Sequence, residues 1–191
     1  MKKSTMKITI VFVLIVVLVV GYYAYLSGKS RDSGDDEKMT AAQLVLSRDM
    51  QKDYPPTVRE VVKYYTEIQK CLYNEECTDE EVEQLGLRAR ELYDQELLDN
   101  NDEAANLLQL KTEVASFRSD QNKINSVSVA SSLNVDSFSE DGYEFARIQC
   151  NYTILDKGKS TLSSTVYLLR RDENRHWKIY GWDWAKNVNP Q

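Results

Sequence analysis

The spacing of apolar residues changes near Ile124, and this change limits the chain to folds that keep helices and strands apart. Before this point, apolar residues recur every three or four positions, which is the period of an amphipathic helix. After it, apolar and polar residues alternate, as expected for strands that cover one face and expose the other. The order predicts an α+β domain in which helices pack on one face of an antiparallel sheet.

Three helices are predicted in the first half of this domain. Thr57 with Glu60 and Thr78 with Glu81 form Ser/Thr-x-x-Glu patterns, which satisfy backbone N–H groups at the start of a helix. The pair at residues 100–101, Asn-Asn, is predicted to separate the second helix from the third. The inner face predicted for the third helix comprises Ala104, Leu107, Leu108, Val114, Ala115 and Phe117.

Four strands are predicted after Ile124. Turn-forming residues at 141–142, 156–158 and 172–174 separate the alternating runs. The first run includes residues 127–135. The positions predicted to face the helices are Ala146, Ile148, Cys150, Tyr152, Ile154, Ser164, Val166 and Leu168. The result is three helices packed on a curved four-stranded antiparallel sheet.

Residues 8–26 contain no charged side chain, and Lys2, Lys3 and Lys7 precede them. As a helix, this run is about long enough to cross a hydrocarbon core of roughly 30 Å. It is longer than the apolar core of a signal peptide, and tyrosines suited to a membrane interface lie at its end. We expect an uncleaved transmembrane anchor; a cleaved signal peptide and a buried core helix are the alternatives.

The predicted organisation follows from this anchor. The lysines before the run favour a cytoplasmic N-terminus, so the rest of the chain is expected outside the cell membrane as a single-pass protein. The predicted segments are a cytoplasmic n-region at 1–7, a transmembrane helix at 8–26, a flexible linker at 27–40 and an extracytoplasmic domain at 41–191.

The domain is acidic and lacks the usual metal motifs. Four of the chain's 24 Lys and Arg residues lie in residues 1–29, which have no Asp or Glu, so 20 basic and 30 acidic residues remain. Nucleic acid is therefore not expected as a partner. Cys71, Cys77 and Cys150 form no CxxC pair and the chain has one histidine, so no Cys/His zinc site and no cofactor is predicted. A Cys71–Cys77 disulfide remains open, while Cys150 is expected to be a buried free thiol.

The order of elements resembles the nuclear transport factor 2-like superfamily, which has a cystatin-like α+β cone. The sequence Trp177-Lys178-Ile179 matches a pattern often found in its closing strand. Residues 53–62, 72–76 and 96–98 look like an uncharacterised family of membrane-anchored bacterial proteins. The resemblance implies fold and topology but no activity, because fold alone does not give function.

A cone-shaped fold can enclose a pocket between its helices and the concave sheet face, and aromatic side chains with polar tips suit such a lining. The candidate lining residues are Tyr65, Tyr93, Tyr152 and Trp182, and the alternative is that aromatic side chains of this kind pack in a filled core. No acid or base lies among the inward strand positions, and His176 is expected at an exposed turn, so no catalytic residue is predicted. Two or more buried polar groups that converge on an open cavity would favour an enzyme, as would a carboxylate such as Glu96 in that cavity beside Tyr93 or Tyr152, whereas a filled apolar cone would exclude one.

The sequence thus predicts a membrane-tethered extracytoplasmic domain that is not an enzyme and that binds a partner protein or a small ligand. Two alternatives remain. One is an enzyme with an isomerase-like or dehydratase-like pocket in the cone. The other is a structural module of an envelope complex. Trp182 and Trp184 are predicted either to cover the open edge of the core or to dock a partner.

Overall fold

The computed structural model describes residues 39–185 and confirms an α+β fold. Within these residues five helices precede a five-stranded antiparallel sheet. The helices are α1 (Ala41–Leu46), α2 (Val58–Asn74), α3 (Asp79–Arg90), α4 (Gln95–Asp99) and α5 (Glu103–Ser119). The strands are β1 (Lys123–Val129), β2 (Asp136–Glu140), β3 (Tyr143–Asp156), β4 (Lys159–Arg171) and β5 (Trp177–Trp184).

The predicted transmembrane segment at residues 8–26 lies outside the described residues, as do the n-region and most of the predicted linker. Within 39–185, none of the helices combines the length and the apolar character that a membrane crossing needs.

The predicted starts of α2 and α3 are confirmed. The Thr57 side chain accepts a hydrogen bond from the Glu60 N–H at 3.2 Å, which caps α2. At α3 the capping box is complete, because Thr78 accepts from the Glu81 N–H and its own N–H donates to the Glu81 carboxylate at 2.8 Å. These local hydrogen bonds fix both helix starts.

The second predicted helix is two helices. It ends at Arg90, and Asp94 caps the short helix α4 by accepting a hydrogen bond from the Glu96 N–H at 3.0 Å. The chain between them follows the edge of β5, where the Ile179 N–H donates to the Leu92 carbonyl and the Asp94 N–H donates to the Ile179 carbonyl, both at 2.8 Å. This pairing with the sheet interrupts the helix.

Helix α5 packs closely on α3 at Gly86, and the two helices are also joined by the Lys111–Glu83 ion pair at 2.7 Å. A Cβ atom at Gly86 would lie 2.7 Å from Leu107 Cδ2 and 2.8 Å from Leu110 Cδ2, so glycine permits the contact. Val114 is the one buried residue of α5. The predicted inner face is wrong at three exposed positions, Ala104, Leu108 and Ala115. These three residues face solvent, and the opposite face of the helix borders a cavity rather than a filled core.

The prediction of four strands is also wrong, since the run at 127–135 contains the end of β1 and a turn. Ser131 caps a single 3₁₀ turn at Ser132–Asn134, and Leu133 at this turn is 93% exposed. Strands β1 and β2 therefore lie end to end along one edge of β3, while β4 and β5 follow on its other side. Polar side-chain hydrogen bonding at Ser131 breaks the strand that hydrophobic alternation predicted.

The inward face predicted for β3 is confirmed at four buried positions, Ala146, Ile148, Cys150 and Tyr152. In β4 the predicted face is wrong by one residue. The residues of β4 that are buried are Thr165, Tyr167 and Leu169 rather than Ser164, Val166 and Leu168. The tight turn at Lys157 and Gly158, both with positive φ, pairs Asp156 with Lys159 and thereby sets this register. Apolar residues occupy both faces of β4, so alternation alone did not distinguish them.

The core joins α2, α3 and the helix-facing side of the sheet. All three cysteines are free thiols in this structure, and Cys71 and Cys150 are buried. Burial raises the pKa of each of these two thiols to about 11. The Cys77 thiol lies 3.5 Å from the Cys71 carbonyl oxygen and packs against the core. Cys150 is therefore a buried free thiol, as predicted, and the Cys71–Cys77 pair is not bridged.

Candidate functional site

A cavity of about 730 Å³ lies between the helices and the helix-facing side of the sheet. Its volume falls in the range of small-molecule binding sites. Eight aromatic residues line it: Tyr65, Tyr73, Tyr93, Phe117, Tyr152, Tyr167, Trp182 and Trp184. Trp184 is 69% exposed, so the cavity reaches solvent at this end. The cavity is therefore mainly apolar, with a few polar groups on its wall.

The structure brings together the four residues predicted to line a pocket. Tyr65 comes from α2, Tyr93 from the segment before α4, Tyr152 from β3 and Trp182 from β5. The Trp182 ring lies 6.2 Å from that of Tyr65 and 5.8 Å from that of Tyr93, measured between centroids. All four line the cavity, and their contact with a ligand stays a prediction.

Tyrosine hydroxyls form two hydrogen-bonded groups on the inner wall. Tyr152 Oη donates to Gln69 Oε1 at 2.8 Å and lies 2.6 Å from Tyr167 Oη. Because a phenol has one proton, Tyr167 is the donor to Tyr152. Tyr65 and Tyr93 form the second group, with their hydroxyl oxygens 3.1 Å apart. A bound molecule would therefore meet hydroxyl groups that are already oriented.

These hydroxyls stay neutral near physiological pH. Burial raises the pKa of Tyr65, Tyr152 and Tyr167 above the ordinary value for a phenol, since it disfavours the phenolate. Burial and then the nearby Glu113 carboxylate raise the pKa of Tyr73 to about 12. The inner wall consequently offers hydrogen bonds without charge.

Helix α5 contributes a polar wall that the apolar periodicity of its sequence does not indicate. Its residues at the cavity are Asn106, Gln109, Leu110, Glu113, Ser116 and Phe117. Glu113 lies one turn from Phe117, whose ring packs 4.8 Å from that of Tyr73. Asp120, just after the helix, also lines the cavity. Polar residues on a helix usually face solvent. Only the position of α5 beside the cavity shows that these residues line it.

Glu96 and His176, which were considered as acid–base groups from the sequence, do not line the cavity. Glu96 is outside the cavity lining and accepts hydrogen bonds from Arg170 at 3.2 Å and from Tyr180 Oη at 2.8 Å. His176 follows the turn before β5 and stacks on Tyr54, with ring centroids 4.2 Å apart. Within residues 39–185, no group of three His, Cys, Asp or Glu side chains is arranged to hold a metal ion.

The fold and this site define an α+β domain with an aromatic-lined cavity on the helix side of its sheet. The chain belongs to the family described as Domain of unknown function (DUF6715), which matches residues 1–182. The match includes all five strands nearly to the end of β5. No curated protein matches the sequence.

Proposed function

We propose that this chain is a membrane-tethered domain of the nuclear transport factor 2-like type that binds a small molecule in its cavity without transforming it. The observation that carries the proposal is the cavity of about 730 Å³, lined by eight aromatic residues and by oriented hydroxyl groups. Apolar walls with a few converging polar groups are typical of small-molecule sites. The order of the helices and the antiparallel sheet supports the superfamily assignment.

The tether is the uncharged run at residues 8–26, and the domain lies on the outer side of the membrane. Protease added to intact cells, with any wall removed, should then digest the domain, because Lys2, Lys3 and Lys7 hold the N-terminus inside. An immunoblot against the C-terminal half measures the loss. Full protection in intact cells, with digestion after lysis, would invert the proposed topology.

Replacing Ser163 with tryptophan should remove the bound molecule. Ser163 lines the cavity opposite Tyr152, so the indole would occupy part of the space. We expect at least about a tenfold drop in the amount of small molecule that copurifies with the chain from its native membranes, because the indole would exclude it from the cavity. Mass spectrometry of solvent extracts provides the measurement.

Ser164→Trp is the matched control, because Ser164 is outside the cavity lining and donates a hydrogen bond to Asn151 Oδ1 at 2.6 Å. This variant should retain the ligand. Equal ligand content in both variants would argue against binding in the cavity. A wild-type chain that carries no small molecule would favour the structural module of an envelope complex.

An acid–base enzyme is the second candidate, and Glu113 is the observation that favours it. Its carboxylate lines the cavity near the phenol of Tyr73, and such a pair could move a proton. Binding without reaction is preferred because Glu113 is exposed at the cavity rim and the inner hydroxyls are neutral. The same extracts distinguish the two, because an enzyme would yield a substrate and its product as a pair whose ratio changes in Glu113→Gln.

A further inference from the structure

We propose that the cavity selects a cationic ligand, namely an organic ammonium attached to a ring-containing apolar body. This inference rests on the proposed function, since it names the class of molecule that the cavity binds. The ammonium lies at the corner formed by Glu113, Phe117 and Tyr73, and the apolar body extends toward the tyrosines of the inner wall.

The charges at the cavity have one sign. Its lining includes Glu113 and Asp120 but, among residues 39–185, no Lys, Arg or His. Neither carboxylate forms an ion pair with any residue of that range. Both are exposed at the rim, so they attract a cation without the cost of a buried charge.

Arg90 lies behind the lining residues Asn101 and Asn106, and its guanidinium already has partners within the protein. Its guanidinium donates to the Asn101 carbonyl at 3.1 Å and to Asn106 Oδ1 at 3.4 Å, and it lies 3.7 Å from the Glu103 carboxylate. Arg118, next to Phe117, donates to the Leu72 carbonyl at 2.7 Å and is outside the cavity lining. A ligand carboxylate or phosphate would thus meet two like charges at the rim and no cation among the lining residues within 39–185.

The aromatic rings supply a second, independent attraction. Phe117 and Tyr73 pack at 4.8 Å with their planes tilted by 58°, and Glu113 lies one helical turn before Phe117. An ammonium over an aromatic face is attracted by the negative potential of that face, and more strongly the further it is desolvated. A carboxylate beside such faces is therefore suited to an alkylated ammonium, which keeps its charge and carries an apolar surface.

Three probes that share a 2-naphthylmethyl group test the charge preference, and the first two are isosteric. They are (2-naphthylmethyl)trimethylammonium, its neutral carbon analogue 2-neopentylnaphthalene and the anion 2-naphthylacetate. Each is titrated against the full-length chain in dodecyl maltoside micelles, which contain no ammonium group, with protein-free micelles subtracted. We expect the cation to bind about tenfold more tightly than the neutral probe, and the anion to bind most weakly.

Glu113→Gln should reduce the preference for the cation over the neutral probe to about threefold or less while leaving the affinity for the neutral probe unchanged. Glu67→Gln is the control, because Glu67 is an exposed carboxylate of α2 outside the cavity lining. This control should retain the full preference. Thermal unfolding of both variants verifies that the fold is intact.

The outcomes separate the two proposals. Equal affinity for the cation and the neutral probe overturns the charge preference and leaves small-molecule binding in place. Tighter binding of the anion overturns it as well. Failure of all three probes to bind overturns this inference, while the ligand content of the wild-type chain decides the proposed function separately. A full preference retained by Glu113→Gln overturns the assignment of the ammonium to this corner.

Discussion

Asp94→Ala should lower the free energy of unfolding by about 3–5 kcal/mol, the range found when one partner of a buried ion pair is removed. The Asp94 side chain is 4% exposed and accepts two hydrogen bonds from the Arg170 guanidinium, one of them from Nε at 3.0 Å. The same carboxylate caps α4. Without it, Arg170 stays largely buried with Glu96 as its remaining ion-pair partner.

Urea unfolding followed by tryptophan fluorescence measures this loss. Asp136→Ala is the control, because Asp136 and Arg147 form an exposed pair at 3.4 Å whose contribution should be at most about 1 kcal/mol. If Asp94→Ala lowered the free energy of unfolding by no more than this control does, the contact between the start of α4 and β4 would not stabilise the fold.

Leu169→Ala should lower the free energy of unfolding by about 2–5 kcal/mol, as expected for truncation of a fully buried leucine. Leu169 has no exposed surface and faces the helices opposite Ala146. Its neighbour Leu168 lies on the other face of the sheet and is only half-buried. Leu168→Ala is therefore the matched control, and we expect a cost of about 1 kcal/mol or less, because a partly exposed side chain loses less buried area.

The same unfolding measurement compares the two variants. A larger loss for Leu168→Ala than for Leu169→Ala would restore the register that hydrophobic alternation predicted for β4. Equal losses would mean that the two faces of the sheet are covered to a similar extent, contrary to the burial observed.

The features predicted well from sequence are those determined within a few residues. Thr57 and Thr78 cap helices through hydrogen bonds three positions away, and the alternation in β3 is unambiguous. The register of β4 depends instead on the turn at Lys157 and on pairing with β3, because both of its faces carry apolar residues. The break between β1 and β2 depends on one polar cap at Ser131.

The site was predictable only in part for the same reason. Tyr65, Tyr93, Tyr152 and Trp182 stood out as aromatic residues on elements expected to face one another, and they line one cavity. Tyr167 was missed because the predicted register placed it outward. Glu113 on α5 and Asp120 at its end were missed because a charged residue at either kind of position is ordinarily solvated, and no sequence signal marks a helix that borders a cavity.

Within residues 39–185, the sheet offers no long, straight edge to a second chain. One edge consists of β1 and β2, of seven and five residues, with the 3₁₀ turn at Ser132–Asn134 between them. At the other edge, β5 is already bonded through Ile179 to Leu92 and Asp94. Unpaired edge strands promote intermolecular strand addition and aggregation. The turn at Ser132–Asn134, which divides the predicted first strand, therefore also disfavours edge-to-edge pairing between two copies of the folded domain.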